Sequence, residues 1–381
     1  MSCPRKCPVC NSASSTPIYH NMLEPISGIQ LSNTITECDQ CGFLFADGIP
    51  DEKSYAEYYT NLSKYDVVGT DVNPVDKLRV EAGAKLVNQF ADIAAKVVDI
   101  GCGNCALLGN LKSQGYTKLI GIDPAKNCSE RAKTYGIEDV YCGSIDHFDV
   151  SLVSDADVVL VMAVLEHLVT PKSSIDRLVS RMKLGARLII EVPSLALFDG
   201  IKGEPLGELS LEHLQFFSLT SLTNLMVGLN LKLVGDYQME LPHALGALFA
   251  VFERTSDAAT EFQDGSNDSE IMKKYVYDSN AKHARCFEQP IGKSIILYGA
   301  GAHSARLLPQ LSQRGIHVHA IVDGNPNYHG ETLGEVEIQD PMVLADMPDI
   351  PVLISSFRSE AAIKSFCTER FTNRLITFYG S

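Results

Sequence analysis

The stretch KVVDIGCGNCALLGNL, Lys96 to Leu111, constrains this chain more than any other. Val97, Val98, Asp99 and Ile100 read as a buried parallel strand, Gly101 and Gly103 then make a tight turn, and ALLGNLKSQG continues as a helix. A strand buried on both faces needs parallel neighbours and a helix layer on each side, so the fold class is α/β. The glycines let the backbone approach a ligand closely at the strand's carboxyl end.

The next apolar run, KLIGIDP, ends in Asp123, about twenty residues beyond the turn, where a strand-end carboxylate can accept both hydroxyls of a ribose. An adenosine-type ligand is implied. The turn departs from the dinucleotide rule, because GCGNCALLG has Cys105 and Ala106 where GxGxxG wants its last glycine.

At 381 residues the chain exceeds one typical core, so two or three domains are expected. Its 45% hydrophobic and 21% charged residues suit a soluble folded protein. A formal net charge of −15, without clustered Lys or Arg, disfavours a nucleic-acid partner and fits a small-molecule substrate better. No apolar run of about eighteen residues occurs, so no membrane contact is expected. No apolar segment follows the N-terminal charges, so a signal peptide is not expected either, and a monomer or homodimer in the cytoplasm is the expectation.

Eleven cysteines in a reducing compartment read as buried thiols or metal ligands. Cys7-Pro8-Val9-Cys10 and Cys38-Asp39-Gln40-Cys41 each place two sulfurs on a tight turn, and two such knuckles close a tetrahedral Zn²⁺ site. Four thiolates leave no open position for chemistry, so this zinc is expected to be structural. Between the pairs, PIYHNMLEPISGIQLSNTITE alternates in places and carries β-branched residues, as a short hairpin would.

The segment ERTSDAATEFQDGSNDS, Glu253 to Ser269, is polar and aperiodic and reads as a boundary or exposed linker. Beyond it, KSIILYGAGAHSARLLPQL repeats the order of strand, glycine turn and helix, and a second strand ends in Asp323. IPVLISSFRSEAAIKSF and RLITFYG extend this second Rossmann-like unit. The expected domains are 1–52, 53–268 and 269–381. His317 and His319 alternate on a strand with no carboxylate or cysteine near them in sequence, and read as ordinary surface or packed residues.

Together, VDIGCGNC and GIDP resemble the class I S-adenosylmethionine-dependent methyltransferases, over about Lys96 to Arg254. YCGSIDHFD, ADVVLVMAVLEHLVTP and RLIIEVPS supply a third, fourth and fifth strand with loops on the same edge. The resemblance implies S-adenosylmethionine as cofactor, with Gly101 and Gly103 passing the methionine moiety and Asp123 on the ribose. It places Ile145 or Asp146 at the adenine edge, and has Asp99 orient the turn or hold the methionine amino group. Glu166, within VLEHLVTP, would shape the cofactor pocket or cap a helix.

Two Glu-His pairs stand out, Glu166-His167 and Glu212-His213; the second follows a loop, FDGIKGEPLGELS, long enough to reach over the site. A four-cysteine unit, a methyltransferase core and a second βα unit, in that order, are similar to the zinc-containing sugar C-methyltransferases that act on nucleotide-linked keto-deoxysugars. That resemblance implies His213 as general base beside a ketone and Glu212 either orienting it or binding a substrate hydroxyl. It also implies a tyrosine from SYAEYYTNLSKYD, which offers Tyr55, Tyr58, Tyr59 and Tyr65; Tyr59 and Tyr65 are the choice. Where the family has a further tyrosine this chain has Ser210. The C-terminal unit would help to hold the nucleotide-sugar, with a structural lid or a second nucleotide site as the other readings. Two alternatives accompany this one: O- or N-methylation of another small molecule, and a catalytically silent methyltransferase-like scaffold.

Overall fold

The computed structural model describes residues 5–30, 32–50, 74–125, 128–198, 203–210, 212–242, 244–257, 259, 261–263 and 267–379. They form three sheets. The first is antiparallel: β1 (Ser15–Asn21), β2 (Asn33–Cys38) and β3 (Leu44–Asp47) are joined by β9 (Gln215–Phe216) from far along the chain. β1 and β2 pair from Ser15 opposite Cys38 to Asn21 opposite Asn33, which is the hairpin expected between the cysteine pairs.

The central sheet comprises β4 (Lys96–Ile100), β5 (Lys118–Asp123), β6 (Val140–Cys142), β7 (Val158–Met162), β8 (Arg187–Pro193), β10 (Leu231–Leu241) and β11 (Ala244–Arg254). Its order is β10-β11-β8-β7-β4-β5-β6; β4 to β8 run parallel and β11 runs against both neighbours. Alternate residues serve opposite faces, as strand geometry requires. Val98, Ile100, Ile120, Ile122, Val159 and Val161 pack toward α4 (Pro171–Val179) and α5 (Leu219–Leu225). Val97, Leu119, Val158 and Leu160 pack toward α1 (Pro74–Phe90) and α2 (Ala106–Ser113). The chain leaves β4 toward β5 and β6 on one side and fills β7 and β8 on the other, so a crevice opens where the order reverses, at the carboxyl ends of β4 and β7. α3 (Cys128–Thr134) follows β5.

The third sheet contains β12 (Ser294–Tyr298), β13 (His317–Val322), β14 (Thr332–Leu333), β15 (Val336–Gln339), β16 (Val352–Ile354) and β17 (Leu375–Thr377), in the order β14-β15-β13-β12-β16-β17. α7 (Ala302–Gln313) and α8 (Glu360–Arg370) accompany it. α6 (Asp268–Cys286) precedes it, yet Met272 and Tyr275 of α6 pack with Leu44, Leu195 and Phe198, so this helix is a strut against the first two sheets. No helix among the described residues is long and apolar enough to cross a membrane.

The units are stitched together by long-range contacts. Leu23 and Ile26, between β1 and β2, lie in the apolar cluster of the third sheet, and the Ser27 and Gly334 amides donate to Thr332 and Pro25 carbonyls, both at 2.8 Å. The buried carbonyl of Leu209 accepts from Asn21 Nδ2 (2.9 Å) and Arg306 Nη2 (2.8 Å), tying the loop before β9 to β1 and α7. Asn21→Leu removes one of these donors, and we expect a loss of about 1–2 kcal/mol in urea unfolding. An unchanged midpoint would show the tie to be idle.

Candidate functional site

Five parallel strands place their following loops along one edge, and two clusters of side chains gather there. The first is built on the turn after β4. Gly101 and Gly103 stand at φ 79 and 52, in the left-handed region that glycine occupies without strain. A Cβ on Gly101 would come 2.4 Å from Val164 Cγ2, so the turn is closed to any larger residue. The Gly103 amide donates to Asp123 Oδ2 (2.7 Å) and the Ala125 amide to Asp123 Oδ1 (2.8 Å). Asp123 is thereby fixed at the strand end beside the turn.

Asp99 sits behind this turn, buried, with Oδ1 lacking a hydrogen-bond partner among the described residues. Burial, and then the charge of Asp123, push its carboxyl up to about 7. A cationic group brought alongside would relieve that penalty. On the loop after β6, Ile145 is buried in the apolar cluster with its carbonyl accepting from Arg177 Nη1 (3.0 Å), while Asp146 Oδ1 accepts from Ser174 Oγ (2.6 Å). The structure therefore brings Asp99, Gly101, Gly103 and Asp123 into one assembly and anchors Ile145 and Asp146 to α4.

The second cluster joins the loop after β7 to the one before β9. Glu166 is buried, its Oε2 has no partner among the described residues, and burial pushes its carboxyl up to about 7. His167 donates from Nδ1 to the Glu212 carbonyl (2.8 Å), and its Nε2 lies 3.7 Å from Glu166 Oε1. The His167 and His213 rings are 5.1 Å apart between centroids. His213 Nδ1 pairs with Glu208 Oε2 at 3.1 Å. Burial opposes protonation of His213, but the Glu208 hydrogen bond and the charges of Glu208, Glu166 and Glu212 outweigh it and hold the ring above its ordinary value. Glu208 is held below its ordinary value because His213 outweighs the effect of burial.

Glu208, which the sequence analysis did not single out, is a partner of His213. The carboxylate on His213 is that of Glu208, and Glu212 contributes its backbone carbonyl to His167. Glu208 reaches back because the chain turns at Leu206, φ 57, with further turn bonds from Gly207 to Glu204 and from Leu209 to Leu206. Beneath the cluster, Arg79 of α1 grips Glu191 of β8 with Nε–Oε1 and Nη2–Oε1 bonds of 3.0 and 2.7 Å. Sequence reasoning missed Glu208, Arg79 and Glu191; their only signal was charge inside apolar or turn-rich text. Ser210 Oγ accepts the Glu212 amide (3.3 Å). Tyr59 and Tyr65, with Tyr55 and Tyr58, lie outside the described residues.

Among the described residues, two groups could hold a metal ion. Cys7, Cys10, Cys38 and Cys41 bring their sulfurs within 4.8 Å of one another, with Cys7–Cys41 at 3.7 Å and Cys10–Cys38 at 3.5 Å. A tetrahedral site with Zn–S of about 2.3 Å has edges near 3.8 Å, so the thiols are spaced for zinc and all are free. Glu166, His167 and His213 also offer ligand atoms within 4.8 Å. In the third sheet, Asp323 accepts from Ala300 (2.8 Å) and Asn325 (2.7 Å) amides, repeating the Asp123 arrangement. There the helix start is filled by His303, whose Nδ1 is 2.7 Å from Ser355 Oγ. His317 and His319 are exposed on β13.

Residues 66–235 match a family described as "Methyltransferase domain". No curated protein matches the chain in sequence. Similar solved structures include the N-methyltransferase NodS from Bradyrhizobium japonicum WM9 in complex with S-adenosyl-L-homocysteine, at 20% identity, covering 52% of this chain and 96% of that one, with a TM-score of 0.41. A second is 1,6-didemethyltoxoflavin-N1-methyltransferase from Burkholderia thailandensis with bound 1,6-didemethyltoxoflavin and S-adenosylhomocysteine, at 15% identity, 57% and 97% coverage and 0.43. A third is magnesium protoporphyrin IX methyltransferase from Synechocystis PCC 6803, at 16% identity, 54% and 100% coverage and 0.43. The matched residues carry the parallel strands β4 to β8 and the crevice at their carboxyl ends.

His213 should titrate above the ordinary histidine value of about 6.5, and Glu208→Gln should lower it by about one unit. Stability from the pair is complete below the unfolded value and is lost as pH rises through the raised folded one. Histidine NMR titration of both proteins checks this; an unshifted ring in the variant would reject Glu208 as the partner that matters.

Proposed function

We propose that the protein transfers the methyl group of S-adenosylmethionine to a sugar, of the nucleotide-linked keto-deoxysugar class. The observation that carries this reading is the Glu208–His213 pair at the crevice of a methyltransferase domain, held on a loop tied to both outer units. The residues around the first turn fit the cofactor. Asp99 supplies a buried carboxyl oxygen without a partner among the described residues for the methionine amino group, Asp123 is assigned to the ribose hydroxyls, and Gly101 and Gly103 leave space for backbone approach. Ile145 and Asp146 stand for the adenine edge, and Glu166 closes the pocket floor.

When bound, S-adenosylmethionine supplies an electrophilic methyl group. His213, in its neutral form, takes a proton from the acceptor carbon beside a ketone, and Glu208 stabilises the imidazolium that results. Glu212 is assigned to a substrate hydroxyl, and Tyr59 and Tyr65 to the acceptor. The four cysteines take structural zinc, and the C-terminal unit helps to hold the nucleotide portion, in a cytoplasmic monomer or homodimer.

A second reading is favoured by the unpartnered Oε2 of Glu166: with His167 and His213 it could bind a divalent cation that activates a hydroxyl, giving O-methylation. Metal analysis separates the two. One zinc per chain supports the first reading, whereas a second equivalent that disappears in His167→Ala supports the other.

Calorimetry should show S-adenosylmethionine binding that Asp123→Ala weakens. His213→Ala should leave that affinity intact and lower turnover of a keto-sugar by about 10²–10⁴-fold. Because His213 must be neutral to act and its value is raised, kcat/KM should climb with pH through an acidic limb above about 6.5. No cofactor binding at all would leave the silent scaffold as the surviving reading.

A further inference from the structure

The cofactor turn carries a dithiol as well as its glycines. After β4 the chain runs Gly101-Cys102-Gly103-Asn104-Cys105 and enters α2 at Ala106. Cys105 stands at φ 60, ψ 20, a left-handed conformation that a residue with a Cβ adopts only against strain. Glycine would sit there freely. The thiol that occupies this position lies 3.6 Å from Cys102 Sγ, and both are free and buried. The facing strand is notched for the pair, since a Cβ on Gly121 of β5 would come 2.8 Å from Cys102 Sγ. Strand, Cys-x-x-Cys, helix start is also the setting in which dithiols cycle with disulfides.

We propose that Cys102 and Cys105 form a thiol-oxidation site, which a hydroperoxide converts to a disulfide within the turn, closing the crevice to its cofactor. The chemistry of the site stands alone; its consequence rests on the cofactor reading above. One thiol sulfur attacks the peroxide, the O–O bond breaks, water leaves and a sulfenic acid forms. The other thiol attacks that sulfur, the S–S bond forms, the S–O bond breaks and a second water leaves. Two thiols have then lost two hydrogens and two electrons to the peroxide.

Closure from 3.6 Å to a bond of about 2.05 Å must contract the turn. Gly103 lies between the two cysteines, and its amide holds Asp123 Oδ2, so the contraction reaches the carboxylate assigned to the ribose. The Cys105 contact, burial and the charges of Asp99 and Asp123 all push the Cys102 thiol up. A cofactor bound over the turn should shield the dithiol and slow the oxidation.

The test uses the full chain treated with hydrogen peroxide, alkylated, and cut with trypsin. Cleavage after Lys96 and Lys112 releases a peptide, residues 97–112, whose only cysteines are 102 and 105. We expect that peptide to appear unalkylated and lighter by two hydrogens, and to return to the doubly alkylated form when dithiothreitol precedes alkylation. Affinity for S-adenosylmethionine should fall by about tenfold or more in step with it and recover on reduction. Cys105→Gly, which suits the left-handed position, should bind the cofactor and resist peroxide. A peptide that stays doubly alkylated at peroxide doses that abolish binding, or a Cys105→Gly protein as sensitive as the parent, would overturn the proposal. If the untreated protein does not bind S-adenosylmethionine, the functional reading fails while the peptide mass still decides the disulfide.

Discussion

A single carbonyl, that of Leu209, carries more of the architecture than its size suggests. It accepts from Asn21 and Arg306, which lie 188 and 97 residues away in sequence, so one oxygen fastens the first sheet and the C-terminal unit to the loop before β9. Leu206 and Glu208 are tied to α6 through Ser279 Oγ and Tyr275 Oη, and the Leu214 amide to the Glu166 carbonyl (2.7 Å). A loop of this length would be mobile on its own. Pinned at both ends and in the middle, it holds Glu208 and His213 in one geometry, which general-base chemistry demands.

The donor Arg306 is an expensive choice. It is 3% exposed, and its Nε and Nη1 have no partner among the described residues. Its neighbours answer its charge by staying neutral: burial, and then Arg306 and Lys282, push His283 down to about 4, and burial likewise holds His303 in its neutral form. Glu204 feels Arg306 electrostatically, though burial still pushes its carboxyl up. A buried cation with two donor nitrogens left without partners among the described residues specifies position more than it adds stability. That suits a residue whose task is to register one domain on another.

Much of the fold could be read in advance. The apolar run at 97–100 with glycines after it, the carboxylate at Asp123 and the paired cysteines around a hairpin are local patterns, and local patterns survive without knowledge of the whole. What could not be read depends on contacts across the chain. β9 has two residues and no period, yet it completes the N-terminal sheet. Arg79 and Glu191 are 112 residues apart, and nothing in either stretch announces the other. Glu208 belongs to no motif, and only the turn at Leu206 brings its carboxylate to His213.

The two orphaned carboxylates complete the physical account of the crevice. Asp99 and Glu166 are both buried, both raised to about 7, and both keep one oxygen without a partner among the described residues. An acid whose folded value is raised works against the fold as pH climbs from its unfolded value, about 4, toward that folded value, because the unfolded chain ionises first. The empty protein is therefore strained near neutrality at two points flanking the same crevice. A ligand that brings positive charge to Asp99 removes that strain at one of them, and the energy released adds to its affinity. For a crevice in a chain of net charge −15, this favours positive charge over negative charge at the turn itself. On the histidine side the balance is reversed, because His213 supplies positive charge there when protonated.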